Sequence, residues 1–268
     1  MSAALFASTL KHSLRTIANY AFGMVLYLWL FIAIYPSFAG SKALNSILQS
    51  MPAGVLRVLG YSLGVTHLSG FLAGEFFSLL YVIIFAIYAI FTGTKVMAHL
   101  IDNGSMAYLL ATPVSRRKVA WTQAMVLLCG VAVIATVTTG GGLLGAAWFA
   151  PHAHIAAGAF IRLNLVGMLL FAVVAAYTFL LSALAPDERT ALSLSTVVTL
   201  VFYGLHVVGD LSSRLHWAAY LSLFAVFNPP ELIAGHGPVL TDTLALAAAT
   251  AILLIVAVAG FQRRQLAL

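Results

Sequence analysis

The stretch GFLAGEFFSLLYVIIFAIYAIFTGT, residues 70–94, decides the fold. A hydrocarbon core of about 30 Å is crossed by roughly 20 mostly apolar helical residues. Helices are favoured there because lipid offers backbone groups no hydrogen-bond partners. Residues 70–94 meet that requirement, with Glu75 as their one acidic residue. Working outward, similar runs occupy about 19–36, 119–149, 158–185, 191–208 and 243–261. The chain is therefore expected to be all-α and polytopic, with about six transmembrane helices. Composition agrees: 62% of residues are hydrophobic and 7% charged, and the mean hydropathy is +1.05, too little charge to keep a soluble globule dispersed.

Six spans and their connectors use nearly all of the 268 residues, so residues 1–268 read as a single transmembrane domain with no room for an appended enzyme domain. The net charge of +6 does not mark a nucleic-acid surface, because Lys and Arg gather at span ends rather than on one solvated face. The lone cysteine, Cys129, lies inside an apolar run and reads as a small packing residue. The apolar run after Lys11 and Arg15 is bulky, aromatic and followed by no small-residue cleavage site, which makes it a retained first span rather than a secretory signal.

With both termini in the cytoplasm, Lys11, Arg15, Lys95, Arg116, Arg117, Lys118, Arg189, Arg263 and Arg264 face inward, while Lys42, Arg57, Arg162 and Arg214 face outward. That division of nine against four follows the positive-inside rule. The reverse orientation violates it. Two outward connectors are long, about 37–69 and 209–242, and both are expected to hold short interfacial helices. In the first, Leu48, Met51, Val55, Leu56 and Leu59 recur at near-helical spacing, with a packed loop as the plainer alternative. In the third span, Gly140 to Gly145 (GGGLLG) weaken a regular helix, make a break or bend there an expectation, and allow close backbone approach at Gly141 and Gly145, which are also candidates for the pathway or its gating.

A search for chemistry finds no strong constellation. There is no Gly-x-x-x-x-Gly-Lys-Ser/Thr phosphate loop and no His-Glu-x-x-His pair. His152 and His154 share a short turn but lack a third ligand with comparable spacing, so a turn pair is favoured over a metal site. Glu75 is the acid nearest membrane depth, a candidate for substrate passage or gating, although its place near a span end also suits packing. Asp187, after Pro186, is a natural N-cap for the fifth span. Asp210 and Arg214, four apart, are candidates for an outer ion pair. Tyr27, Trp29, Phe76, Phe77, Tyr81 and Tyr203 are candidates for a pathway lining or for lipid-facing packing.

The connector MAHLIDNGSMAYLLATPVSRRK, residues 97–118, is the most specific segment. Ile101, Met106, Leu109 and Leu110 offer an apolar face, Asp102 and Asn103 suit a helix start, and Pro113 stops the helix. Ser115, Arg116, Arg117 and Lys118 then open the next one. The result is a short amphipathic helix ending in a basic cluster, which can dock on head groups or in a protein groove.

This segment resembles that of type-2 ABC exporter permeases. In that family an acid, any residue and Gly are followed by four residues, Leu-Leu, two more, then Pro-Val-Ser-Arg, between the second and third of six spans. Asp102, Gly104, Leu109, Leu110, Pro113, Val114, Ser115 and Arg116 hold those places. The family often carries two or three acids before the glycine, where this chain has only Asp102, preceded by His99. The resemblance implies a permease that pairs with a second permease, as homodimer or heterodimer, and with two copies of a separate ATPase that binds ATP and Mg. Residues 98–113 would be the coupling segment, and the membrane would be the cell's inner membrane. The competing readings are an ion-coupled secondary carrier, which needs ionisable groups near the midplane, and an intramembrane enzyme, for which no constellation is present.

Overall fold

The computed structural model of the protein describes residues 3–38, 46–48, 50–61, 67–106, 114–151, 153, 156–211, 213–235 and 238–264. Among these, six helices are long and apolar enough to cross a membrane. They are α1 (Ala3–Phe38), α3 (Leu68–Asp102), α4 (Arg116–Phe149), α5 (Ala157–Leu184), α6 (Glu188–Leu211) and α9 (Val239–Arg263). Short helices between spans include α2 (Ala53–Val58), α7 (His216–Tyr220) and α8 (Pro229–Ala234). No strand occurs among the described residues. The all-α polytopic expectation holds.

The helices overrun the apolar stretches that announce them. The helix of the first span begins at Ala3, well before the apolar run near residue 19, because hydropathy marks where lipid is met, whereas helix continues through the exposed turns that carry Lys11 and Arg15. Within α1 a single stripe is buried, Ile17, Ala21, Met24, Leu28, Ile32 and Tyr35, at the spacing of one helix face. That stripe packs on α4.

α5 is the hub. Residues Phe171 to Phe179 are buried on every side, because α3, α4, α6 and α9 surround them. Tyr81 and Phe85 of α3 pack their rings against Phe171, and Phe227 stacks on Tyr81 at 5.6 Å. Phe76, Phe77 and Tyr81 thus form the interior of the bundle, with no exposure at all, and are not lipid-facing.

α4 runs unbroken through Gly140 to Gly145, so the helix does not break there. The glycines serve close approach: a Cβ on Gly141 would lie 2.7 Å from Val25, and one on Gly145 would lie 2.6 Å from the Trp29 ring. Trp29 Nε1 then donates to the Gly141 carbonyl at 2.7 Å. In lipid, where apolar surface alone drives little association, small residues and a hydrogen bond of this kind hold helices together.

At the end of the bundle away from the 103–115 connector, α2 packs its Gly54 against the last turn of α6. In the first long connector Leu48 is buried while Ile47 and Leu59 remain exposed, and among its described residues 46–48 and Ala53–Val58 are helical. The second, after Leu211, folds back into the bundle through Ala218, Ala219, Phe224, Phe227 and Leu232, and leaves Trp217 and Tyr220 exposed. Asp210 and Arg214 are not paired, because α6 stops at Leu211 and Arg214 lies in a separate 3-10 turn.

Candidate coupling site

The site is the connector between α3 and α4 and the span ends that hold it. α3 closes on Asp102, which is exposed, and the chain turns at Gly104 with φ of +73°, a left-handed conformation that favours glycine. Nothing crowds Gly104, so its requirement is conformational rather than steric. Asn103 Oδ1 accepts from Ser105 N at 3.0 Å and restarts the chain as an Asx turn. Met106 is fully buried in the main core, so this end of the amphipathic segment faces the bundle. Leu109, Leu110 and Pro113 lie outside the described residues. Val114 packs on the core, and Ser115 caps α4 by accepting from Lys118 N at 3.4 Å.

Three ties fasten this connector to other spans. Arg116 donates through Nη1 to the Arg264 carbonyl at 2.9 Å, and Arg264 donates through its own Nη1 to the Ala183 carbonyl at 2.9 Å. Each guanidinium thereby satisfies a carbonyl at a helix C-terminal end, α9 and α5 respectively, where positive charge is favoured. Burial pulls the Arg264 group below its ordinary value, yet a guanidinium stays protonated. His99 Nδ1 meets Glu188 Oε2 at 2.6 Å, joining the end of α3 to the start of α6.

The third tie enters the backbone itself. Residues Lys95–His99 of α3 are π-helical, and Ala98 N–H donates to Ser182 Oγ at 2.8 Å while that hydroxyl donates to the Thr94 carbonyl at 2.7 Å. The α5 hydroxyl thus occupies the place of the Ala98-to-Thr94 bond that a regular α-helix would make. One turn earlier in α5, Thr178 lies against Gly93, where a Cβ would lie 2.7 Å from it. Asp187 caps α6, as expected, by accepting from Thr190 N at 2.7 Å and from its hydroxyl at 3.0 Å.

Of the remaining candidates, Glu75 accepts from the Tyr61 hydroxyl, which ties the first long loop to α3. Gly141 and Gly145 lie at the seam of α4 with α1. None of these three touches the connector. His152 and His154 are outside the described residues, among which no cluster of metal-ligating side chains occurs. Ser182, Glu188 and Arg264 were not singled out for the site from sequence. Ser182 is a lone hydroxyl late in an apolar run, which is a signal, but its partners are 84 and 88 residues away.

A family model described as ABC-2 family transporter protein matches residues 25–266. The chain belongs to that family. As an ABC-2 permease it is a multi-pass membrane protein and the transmembrane component of an ABC transporter. No curated protein matches it. Membership accounts for the six spans of the permease, and its association with an ABC ATPase follows from the family.

Proposed function

We propose that this ABC-2 permease is the membrane subunit of an ATP-driven exporter that moves a hydrophobic or amphipathic cargo outward across the inner membrane, with both termini and the connector in the cytoplasm. A second permease completes the pathway, and two copies of a separate ATPase bind ATP and Mg and dock on residues 98–113. The chain itself supplies no catalytic group. The observation that carries the reading is the way the connector's two flanks are fastened: α3 to α5 and α6 through Ser182 and Glu188, and α4 to α9 through Arg116. A push on a segment so fastened moves five span ends together, instead of bending one loop. Closure of the ATPase dimer would bias the bundle between two packings, and hydrolysis would reset it.

Replacing Leu109 and Leu110 with Asp tests docking directly. The ATPase is expected to be lost on co-purification, and retention at the wild-type level would count against this segment as the docking site. Transport in sealed vesicles energised by ATP, by an ion gradient or by neither separates the exporter from an ion-coupled carrier. Full-rate transport with no nucleotide-hydrolysing subunit present would defeat the proposal.

A further inference from the structure

Away from the connector, α6, α3 and the segment after Leu211 enclose a polar crevice of about 430 Å³ counting its open mouth. Asp210 and His206 project into it from the last turns of α6, Ser78 from α3, and Asn228 from the start of α8, while the exposed Arg57 stands on the wall.

The hydrogen-bonding inventory of this crevice is lopsided. The Asp210 carboxylate is only 17% exposed, and its nearest partner, His206 Nε2, is 3.7 Å away, beyond hydrogen-bond reach. His206 Nδ1 is buried with no partner. Ser78 already donates to the Ala73 carbonyl at 2.7 Å, so what it has left is acceptor capacity. Asn228 makes no side-chain cap bond, which leaves its carbonyl oxygen available. Asp210 also lies in the last turn of a helix, where the backbone dipole opposes negative charge. Several acceptors and a largely buried acid with no hydrogen-bond donor in reach, at a membrane-helix end, suit a cationic donor. The rings of Tyr203 and Phe224, edge to face at 5.5 Å, also line the crevice and favour a cation.

We infer that this crevice binds the primary ammonium of an amphiphile, whose three N–H groups donate to acceptors drawn from Asp210, His206, Ser78 and Asn228. A primary ammonium offers N–H donors to these acceptors, and a trimethylammonium offers none. Two sources share that chemistry: an ethanolamine phospholipid, whose phosphate would meet Arg57, or a free alkylamine. The site is separate from the connector and does not depend on the coupling mechanism.

The test uses the full chain in phosphatidylcholine nanodiscs, with decylamine, decyltrimethylammonium and phosphatidylethanolamine as probes, read by thermal shift and native mass spectrometry. Decylamine is expected to bind about ten-fold or more tightly than its trimethylated counterpart, and Asp210→Asn to abolish that difference. Loss of phosphatidylethanolamine binding in Arg57→Gln, with decylamine unaffected, identifies the phospholipid as the ligand. An equal response of both identifies the free amine. Equal binding of the two decyl compounds to the wild-type chain would overturn the proposal and leave the crevice as a water site. That comparison needs no variant, so it stands even if Asp210→Asn fails to fold.

Discussion

Ser182 stands inside the backbone of a helix that is not its own, accepting from Ala98 N–H at 2.8 Å and returning its proton to the Thr94 carbonyl. A hydroxyl so placed joins α5 to α3 and also fixes the π-helical turn that leads into the connector, since opening the ladder by one residue needs a substitute partner for both groups. The seam continues through Gly93 and Thr178, so the two spans are in contact along the last turns of α3.

Ser182→Ala leaves Ala98 N–H and the Thr94 carbonyl without their partner. A loss of about 1–3 kcal/mol of stability is expected, or closure of residues 95–99 into regular α-helix with a changed connector path. Thermal unfolding measures the first outcome. Cargo moved per ATP hydrolysed measures the second, and an unchanged ratio with unchanged stability would show that the hydroxyl is dispensable.

The α1–α4 seam offers a second test. Trp29→Phe keeps an aromatic side chain but removes the indole N–H donor to the Gly141 carbonyl together with its pyrrole ring, with an expected loss of about 1 kcal/mol or more. Gly145→Val is expected to be worse, about 1–3 kcal/mol, because its Cβ would meet the Trp29 ring at 2.6 Å. Melting temperatures in the same lipid rank the two variants. Gly145→Val as stable as wild type would contradict the close approach.

Acid sensitivity centres on Asp187. The Thr190 backbone N–H donates to its carboxylate, and that bond is the largest cause holding the group below its ordinary value of 3.8. Because the folded-state value lies below the unfolded one, the associated stability is present above pH ~4 and is lost as pH falls through the folded-state value. Asp187→Asn keeps a capping oxygen without the titration. Its melting temperature is therefore expected to change less than that of wild type between pH 5 and pH 3, in scans over that range. Parallel curves would exclude Asp187 as the source.

Tyr61→Phe and Glu75→Gln probe one hydrogen bond from its two ends. Burial first, and then Glu75, push the Tyr61 hydroxyl well above its usual range, so it remains a proton donor at any working pH. If Glu75 serves only to hold the loop, each variant loses about 1–3 kcal/mol while transport per folded molecule persists. A transport defect in Glu75→Gln that Tyr61→Phe does not share would return Glu75 to the cargo path.

Much of the fold was legible as a string. Apolar runs of bilayer length specify a helix whatever its neighbours, because lipid leaves the backbone no other way to satisfy its hydrogen bonds. The motif from Asp102 to Arg116 pointed to the ABC-2 family without coordinates, and Ser115 and Asp187 announced their caps because capping is settled within three residues. Helix ends were less legible, since residues 3–18 are helical without forming an unbroken apolar run.

What only the tertiary structure decided is which residues meet. The meeting of Ser182 with Ala98, of Arg116 with Arg264 and of Trp29 with Gly141 depends on helix rotation and depth. The apolar spans offer lipid similar surface on several faces, so their sequences leave rotation open until small residues and single hydrogen bonds select one packing. For the same reason Phe76, Phe77 and Tyr81, which a string of letters allows to face lipid or cargo, turn out to be the interior of the bundle.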